Sequence, residues 1–186
     1  MPNVIARRAD EEGPVKAASR LRPSHVLLVT GARSWNNEAY MRASFRDTWQ
    51  AWGPSNVTHP LLLSGHCPAD RLGRGADAMA EKLWELAGFE VFPVPADWKA
   101  HGRRAGFVRN QQMVDVVVSL RARGSVVRCL AYLDLCRKPA CFQRANEQLM
   151  PQLAGHFSHG TVDCRAAAVR AGLETLDVVS PSLVPV

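Results

Sequence analysis

The stretch HVLLVTGARSW, residues 25–35, decides the fold that the sequence predicts. Its first six residues form a nearly continuous apolar run that ends at Gly31, a pattern typical of a central strand of a parallel sheet, which is buried on both faces. The polar segment that follows leads into residues 37–52, where apolar side chains recur at helical spacing. A buried strand, a loop and an amphipathic helix in this order predict the first unit of an α/β domain.

The same alternation continues along the chain. Further strands are predicted at residues 61–65, 89–94, 126–132 and 176–179, and further helices at 76–87, 103–121 and 161–171. Right-handed crossovers place the loops that follow the strands along one edge of such a sheet. We therefore expect an α/β fold with a Rossmann-like, doubly wound parallel sheet. The aromatic stripe of the helix at 37–52 is expected in the core or at a dimer surface.

Composition limits the domain organisation. At 186 residues, 47% of them hydrophobic, the chain is long enough for one well-buried domain, which we place at residues 25–180, with mobile tails at 1–24 and 181–186. No apolar run approaches the roughly 20 residues that cross a bilayer, and the N-terminus is charged, so we expect a cytoplasmic protein. The five cysteines include no C-x-x-C pair, which favours reduced thiols.

The segment ADWKAHGRRAGFVRNQQM, residues 96–113, is the strongest candidate for a functional site. It is too polar to be core, and it lies between a predicted strand and a predicted helix, where open α/β sheets bind ligands and helix N-termini attract phosphate. Its candidate ligand-binding residues are Asp97, Trp98, Arg104, Arg109 and Asn110. The alternative is an ion pair between Arg109 and Asp97 that holds the loop.

The loops after the first two strands carry further candidates. Gly31 lets backbone amides approach a phosphate, Arg33 supplies a charged fork, and Ser34 can donate a hydrogen bond. The alternative for these three residues is an ordinary strand-to-helix turn. Gly65 and Asp77 bracket the second loop. Asp77 could bind a ribose hydroxyl, or it could have a structural role by capping the next helix or ordering the loop. We favour the structural role.

Several of these motifs occur together in a known family. VTGARSW at 29–35, GADAMA at 75–80 and PADWKAHGRRAGFVRNQQM at 95–113 resemble the YspA-like (cpYpsA-related) family of the SLOG superfamily. The resemblance covers about residues 26–179 and is weakest at about 133–157, which we treat as an insert. It implies a Rossmann-like domain that binds nucleotides or nucleotide-derived ligands. Relatives include cytokinin-activating phosphoribohydrolases, sensors of ADP-ribose-type signals and the DNA-processing protein DprA.

The resemblance also implies roles for individual residues. Arg109-Asn110-x-x-Met113 is similar to an Arg-Lys-x-x-Met motif of the phosphoribohydrolases, whose arginine touches the substrate. A phosphate loop of the same enzymes resembles the segment at 158–161, which implies ligand contacts for Ser158, Gly160 and Thr161.

One departure from those enzymes concerns catalysis. Cys164 occupies the position of their catalytic glutamate, and Asp163 lies one residue early. Successive helix positions point about 100 degrees apart, so Asp163 is a poor substitute for a carboxylate that must stabilise charge developing on a ribose. We therefore assign no catalytic residue and do not expect glycosidic cleavage.

A separate set of residues has the chemistry of a metal site. Two cysteines and two histidines fall within or beside the insert, namely Cys136, Cys141, His156 and His159. Four such ligands can close a structural zinc site. The alternative is that the cysteines are small buried hydrophobes. His159 cannot easily serve both the metal and the phosphate loop.

Three classes of function follow. The first is a homodimeric module that binds or senses a nucleotide-derived small molecule, of the ADP-ribose or cyclic nucleotide type, in phage or bacterial defence signalling. The second is a nucleotide phosphoribohydrolase or N-glycosidase. The third is a DprA-like DNA-binding module, for which the net charge of +6 is only a weak argument. We favour the first class because it does not need the missing glutamate.

Overall fold

The computed structural model describes residues 12–137, 141 and 156–183. Its centre is one sheet of five parallel strands in the order β3-β2-β1-β4-β5. The strands are β1 (His25–Gly31), β2 (Pro60–Ser64), β3 (Glu90–Pro93), β4 (Val126–Leu133) and β5 (Glu174–Val179). The predicted α/β class with a Rossmann-like parallel sheet is confirmed.

The helices alternate with these strands. They are α1 (Pro14–Ala18), α2 (Glu38–Trp52), α3 (Ala76–Leu86), α4 (Trp98–His101), α5 (Ala105–Arg121) and α6 (His159–Arg170), with short 3-10 turns at Pro54–Asn56, Gly102–Arg104 and Pro181–Leu183. The sequence sets both ends of α2: the side chain of Asn37 accepts a hydrogen bond from the Tyr40 amide at 2.9 Å, and Gly53 ends the helix with a φ of 75°. Among the described residues, no helix is long and apolar enough to cross a bilayer.

The sheet is covered on both faces. Alternate residues of β1 divide between two cores: Leu27 and Val29 pack with α2 and α3, whereas Val26 and Leu28 pack with α1, α5 and α6. The aromatic stripe of α2 lies in the first core, since Trp49 stacks on Phe89 at a centroid distance of 5.2 Å. Of the two expected positions for this stripe, the core therefore describes it better than a dimer surface does.

Strand order creates a topological switch point beside β1. From β1 the chain builds β2 and β3 on one side of the sheet, and it then crosses to build β4 and β5 on the other. The loops after β1 and β4 therefore diverge at the carboxyl ends of two neighbouring strands. In open α/β sheets this position forms a crevice in which ligands bind.

The structure corrects the predicted boundaries in several places. The segment predicted as a mobile tail carries α1, whose Ala18 is fully buried and accepts a hydrogen bond from Arg123 at 3.0 Å. Helix α5 begins at Ala105 because α4 and a 3-10 turn precede it, and α6 begins two residues before Thr161. Strand β5 begins at Glu174, two residues before the predicted start. Most of the predicted insert and residues 184–186 lie outside the described residues.

Candidate functional site

Backbone hydrogen bonds join the loops at the carboxyl edge of the sheet. The Ala32 amide, just after β1, donates to the carbonyl of Tyr132 in β4 at 3.0 Å, and the Ala76 amide donates to the Ala32 carbonyl at 3.2 Å. The Gly75 amide donates to the Trp35 carbonyl at 2.8 Å. The loop after β1 is therefore held between β4 and the start of α3.

Gly31 permits this close packing. A Cβ at this position would lie 2.3 Å from the Cβ of Ala76 and 2.8 Å from the Cβ of Tyr132. No side chain fits at those distances, so glycine is required for α3 and β4 to meet here. The contact assigns Gly31 a packing role, whereas the sequence suggested approach to a phosphate.

Ser34 meets a carboxylate that the sequence analysis missed. Its hydroxyl donates to Oδ2 of Asp134 at 2.5 Å, and the Leu135 amide donates to Oδ1 at 2.8 Å. The carbonyl of Asp134 accepts from the Ser158 amide at 3.0 Å. Asp134 is only 3% exposed and follows β4 directly, and that position after a buried strand is the signal that could have identified it. Asp134 thus links three loops at the switch point.

Arg109 lies in a mostly buried ion pair. Its Nη1 donates to the carbonyl of Gly65 and lies 3.7 Å from Oδ2 of Asp77, and the two charged side chains are 13% and 7% exposed. A Cβ on Gly65 would overlap the guanidinium, so this glycine makes room for the arginine. The alternative pairing of Arg109 with Asp97 was wrong. The partner is Asp77 in the first turn of α3, so the ion pair ties α5 to α3, and the hydrogen bond to Gly65 ties α5 to the loop after β2.

Asp77 orders that loop. Its Oδ2 accepts a hydrogen bond from the Cys67 amide at 3.2 Å, whereas α3 itself begins after Gly75 without a side-chain cap. Burial raises the pKa of Asp77 from 3.8 to about 6, and the charge of Arg109 opposes the rise. The carboxylate is therefore ionised at neutral pH only because its pairing offsets part of the cost of burial.

Asn110 connects α5 to the start of α6. Its Nδ2 donates to the Gly160 carbonyl at 3.0 Å and to Oδ2 of Asp163 at 2.9 Å, and the residue is 2% exposed. Thr161 is also buried, and its hydroxyl has no hydrogen-bond partner among the described residues. The segment from Ser158 to Thr161 is thus fixed by Asn110 on one side and by Asp134 on the other.

Cys164 faces the hydrophobic core. It is fully buried in the cluster that α5 and α6 form against the sheet, and burial raises the pKa of its thiol to about 12. Its thiol also makes a hydrogen bond with Thr30 near the end of β1 and lies close to Arg109, Asp77 and Asp163. The position that the phosphoribohydrolase resemblance assigns to a catalytic glutamate is therefore a core position in this structure.

The remaining predicted residues lie on exposed segments. Asp97 caps α4 by accepting from the Ala100 amide at 2.8 Å, Trp98 is 56% exposed, and Arg104 is exposed in the turn before α5. Arg33 is exposed as well, and its Nη2 lies 3.9 Å from the sulfur of Cys67. The structure brings Arg33 to the edge of the second loop, next to Ser34.

A groove of about 650 Å³ opens on the α3 side of the second loop. Its floor includes Glu81, which accepts hydrogen bonds from the Ser64 hydroxyl and, at 2.9 Å, from Nδ1 of His66. Glu85 also lines it. Two carboxylates beside one lysine disfavour a phosphate here. The residues that line the groove also do not include Ser34, Asp134 or Ser158, which meet between β1 and β4.

The four cysteine and histidine residues predicted as a metal site do come together. The ligand atoms of Cys136, Cys141, His156 and His159 all lie within 4.8 Å of one another. The cluster adjoins the first turn of α6, since His159 is the first residue of that helix.

The chain is similar to a phage protein. A search against family models finds no match. The chain is 34% identical over 112 residues to the Gene 61 protein of Mycobacterium phage D29, an alignment that covers 57% of this chain and 74% of the phage protein. The chain belongs to the Gene 61 protein family. The name of the phage member designates a gene and no activity.

Proposed function

We propose that this Gene 61 family protein is a SLOG-type module that binds a nucleotide-derived small molecule at the switch point between β1 and β4. The observation that carries the proposal is the junction around Asp134, where Ser34, the end of β4 and the start of α6 meet. This is the position at which open α/β sheets bind nucleotides. The expected ligands are of the ADP-ribose or cyclic nucleotide type, and the expected role is to sense or sequester them in phage or bacterial defence signalling.

The phosphate end of the ligand lies at the start of α6. The first turn of a helix carries a partial positive charge. The amides of Ser158 and Thr161 already donate to backbone carbonyls, whereas Gly160 is exposed and presents no side chain, so a phosphate would approach the backbone at Gly160. Arg33 adds an exposed guanidinium next to Ser34. A backbone cradle and one arginine together suit a phosphate or pyrophosphate.

Ser34 has a different role from the one that the sequence suggested. Because its hydroxyl hydrogen is directed at Asp134, the oxygen offers lone pairs and no donor to a ligand. Such an acceptor suits a ribose hydroxyl better than a phosphate. Asp134 is buried and acts through Ser34, which makes it a positioning residue.

Arg109 and Asn110 act on the site indirectly, by positioning its loops. Both are engaged with protein groups, Arg109 with the second loop and Asn110 with the carbonyl of Gly160. Their contacts set the positions of two of the loops that would surround the ligand. We therefore propose that Arg109 acts on binding through the loop after β2.

Two observations count against the phosphoribohydrolase alternative. Cys164 lies in the apolar core, and Asp163 accepts a hydrogen bond from Asn110 that fixes it beside α5. Cys164 is fully buried, and the Asp163 carboxylate is already engaged by Asn110. We propose binding without cleavage.

Native mass spectrometry of protein purified from its own host tests the class of function. A retained mass that matches a nucleotide or a dinucleotide supports the proposal. Free base released from added nucleoside monophosphate supports the hydrolase, and co-purified DNA supports the DprA-like alternative.

Calorimetry with ADP-ribose, cyclic AMP and AMP then tests the site. Arg33→Ala is expected to weaken the best ligand by about 1.5 kcal/mol, roughly tenfold, because a charge-assisted hydrogen bond is lost. Arg46→Ala is the matched control, since Arg46 is also exposed but lies on α2. Equal effects of the two substitutions would show that only net charge matters.

A further inference from the structure

A second cluster of functional side chains lies beside the proposed ligand site and takes no part in it. Cys136 follows β4, Cys141 belongs to the insert, and His156 and His159 flank the start of α6. All four residues are partly buried. We propose that these four side chains bind one structural Zn²⁺ ion.

The backbone brings the ligands together. Leu135 and Phe157 form an antiparallel bridge, and the Cys136 amide donates to the His156 carbonyl at 2.8 Å. The end of β4 therefore runs beside the segment that enters α6, which places Cys136 next to His156. Phe157 is 3% exposed and anchors the segment between the two histidines.

The distances suit tetrahedral coordination. Sγ of Cys141 lies 3.5 Å from Nε2 of His156 and 3.4 Å from Nε2 of His159. Zinc bond lengths of about 2.3 Å to sulfur and about 2.0 Å to nitrogen give tetrahedral sulfur–nitrogen edges of about 3.5 Å. The two Nε2 atoms are 2.8 Å apart, so they converge on one point and separate slightly when an ion enters.

The donor set selects the metal. Two thiolates and two imidazoles favour zinc over magnesium or calcium, which prefer oxygen ligands. Two thiolates also neutralise a divalent cation, which suits a partly buried position. Four protein ligands close the tetrahedron and leave no position for a substrate or an activated water. The ion therefore stabilises the fold and does not catalyse.

The site has a consequence for the neighbouring loop. If His159 binds zinc, its side chain is not available to a phosphate. The ligand contacts of this loop then fall to the exposed Gly160 and the half-buried Ser158, since Thr161 is 1% exposed. The ion would join the end of β4, the insert and the first turn of α6. Zinc would hold the start of α6 in place without touching the ligand.

Elemental analysis of the full-length protein, expressed with zinc in the medium and purified without chelators, tests the proposal. We expect about one zinc per chain, and a loss of at least about tenfold in Cys136→Ser, Cys141→Ser and His156→Ala, because three-ligand zinc is held much more weakly. Cys67→Ser and His59→Ala are matched controls, since both residues lie outside the cluster and should leave the zinc content unchanged.

X-ray absorption at the zinc edge of the wild-type protein provides a test that does not depend on variants that fold poorly. Two sulfur and two nitrogen ligands are expected. Wild-type protein without zinc would overturn the proposal, as would a Cys136–Cys141 disulfide in freshly purified protein. Zinc with a different ligand set, or zinc lost equally from Cys67→Ser and from Cys136→Ser, would also overturn it.

Discussion

The ion pair between Arg109 and Asp77 allows a quantitative test of how the second loop is held. Arg109→Met removes the guanidinium while keeping much of its apolar length, and it leaves a 7% exposed carboxylate without its countercharge. Coulomb attraction across 3.7 Å at an effective dielectric constant of about 20 is about 4 kcal/mol. Relief of the burial of arginine offsets part of this energy. We therefore expect the free energy of unfolding to fall by about 3 kcal/mol at pH 8.

The loss should depend on pH. Asp77 already has a pKa of about 6, and removal of Arg109 raises it further, so the carboxyl of the variant is neutral at pH 5. The hydrogen bonds from Arg109 to the Gly65 carbonyl and to Oδ1 of Asn110 are then missing, which corresponds to about 1.5 kcal/mol. Asp77→Asn in the Arg109→Met background should reduce the loss at pH 8 to a similar value.

Urea unfolding followed by tryptophan fluorescence measures these changes. Arg121→Met is the matched control, because Arg121 lies on the same helix, donates to the carbonyls of Gly172 and Ala171, and has no carboxylate partner among the described residues. Its effect should be the same at both pH values. If Arg109→Met lowers the free energy of unfolding as much at pH 5 as at pH 8, or if Asp77→Asn does not restore stability to that variant at pH 8, the ion pair does not stabilise the fold as proposed.

Three further predictions concern Asp77, Cys164 and catalysis. Burial raises the pKa of Asp77 from 3.8 to about 6, so between these pH values the folded protein holds a proton that the unfolded chain has released. The stability that this group contributes is therefore fully present below pH 4 and is lost as the pH rises through about 6. The loss amounts to at most about 3 kcal/mol. The stability of Asp77→Asn relative to wild type, measured by urea unfolding, should therefore rise between pH 4 and pH 7, and a constant difference would contradict this. Cys164→Glu should lower the free energy of unfolding by at least about 3 kcal/mol because it buries a charge in the core. Val169→Glu, at a position that is 49% exposed on the same helix, should change the free energy of unfolding little. Equal melting temperatures for the two variants would disprove the core placement of Cys164. Wild-type protein should release little or no free base from nucleoside monophosphates in a chromatographic assay, and robust release that disappears in Asp163→Asn would favour the hydrolase.

Sequence patterns predicted the sheet because its strands are nearly continuous apolar runs. Residues 25–30 could be identified as a central strand since burial on both faces leaves no polar alternation. Helix α1 was missed because it has only five residues, and its stability comes from packing of Ala17 and Ala18 against the core. Short helices have little periodicity of their own.

The pairing of site residues was harder to predict than their presence. Asp134 and Ser34 are separated by 100 positions and meet only because β1 and β4 are neighbours. The acidic partner of Arg109 is set by the path of the second loop, which the sequence does not specify. The cysteine and histidine ligands could be named from residue type alone, whereas their convergence depends on the bridge between Leu135 and Phe157.

An amide chemical-shift titration of ¹⁵N-labelled protein locates the nucleotide-derived ligand that we propose to bind between β1 and β4. With ADP-ribose, cyclic AMP and AMP as probes, at least one should shift amides at residues 32–35, 134–136 and 158–162 together. Residues 54–59 and 122–126, at the opposite edge of the sheet, should not move. Shifts confined to the groove along α3, or no shifts with any of the three probes, would contradict the account.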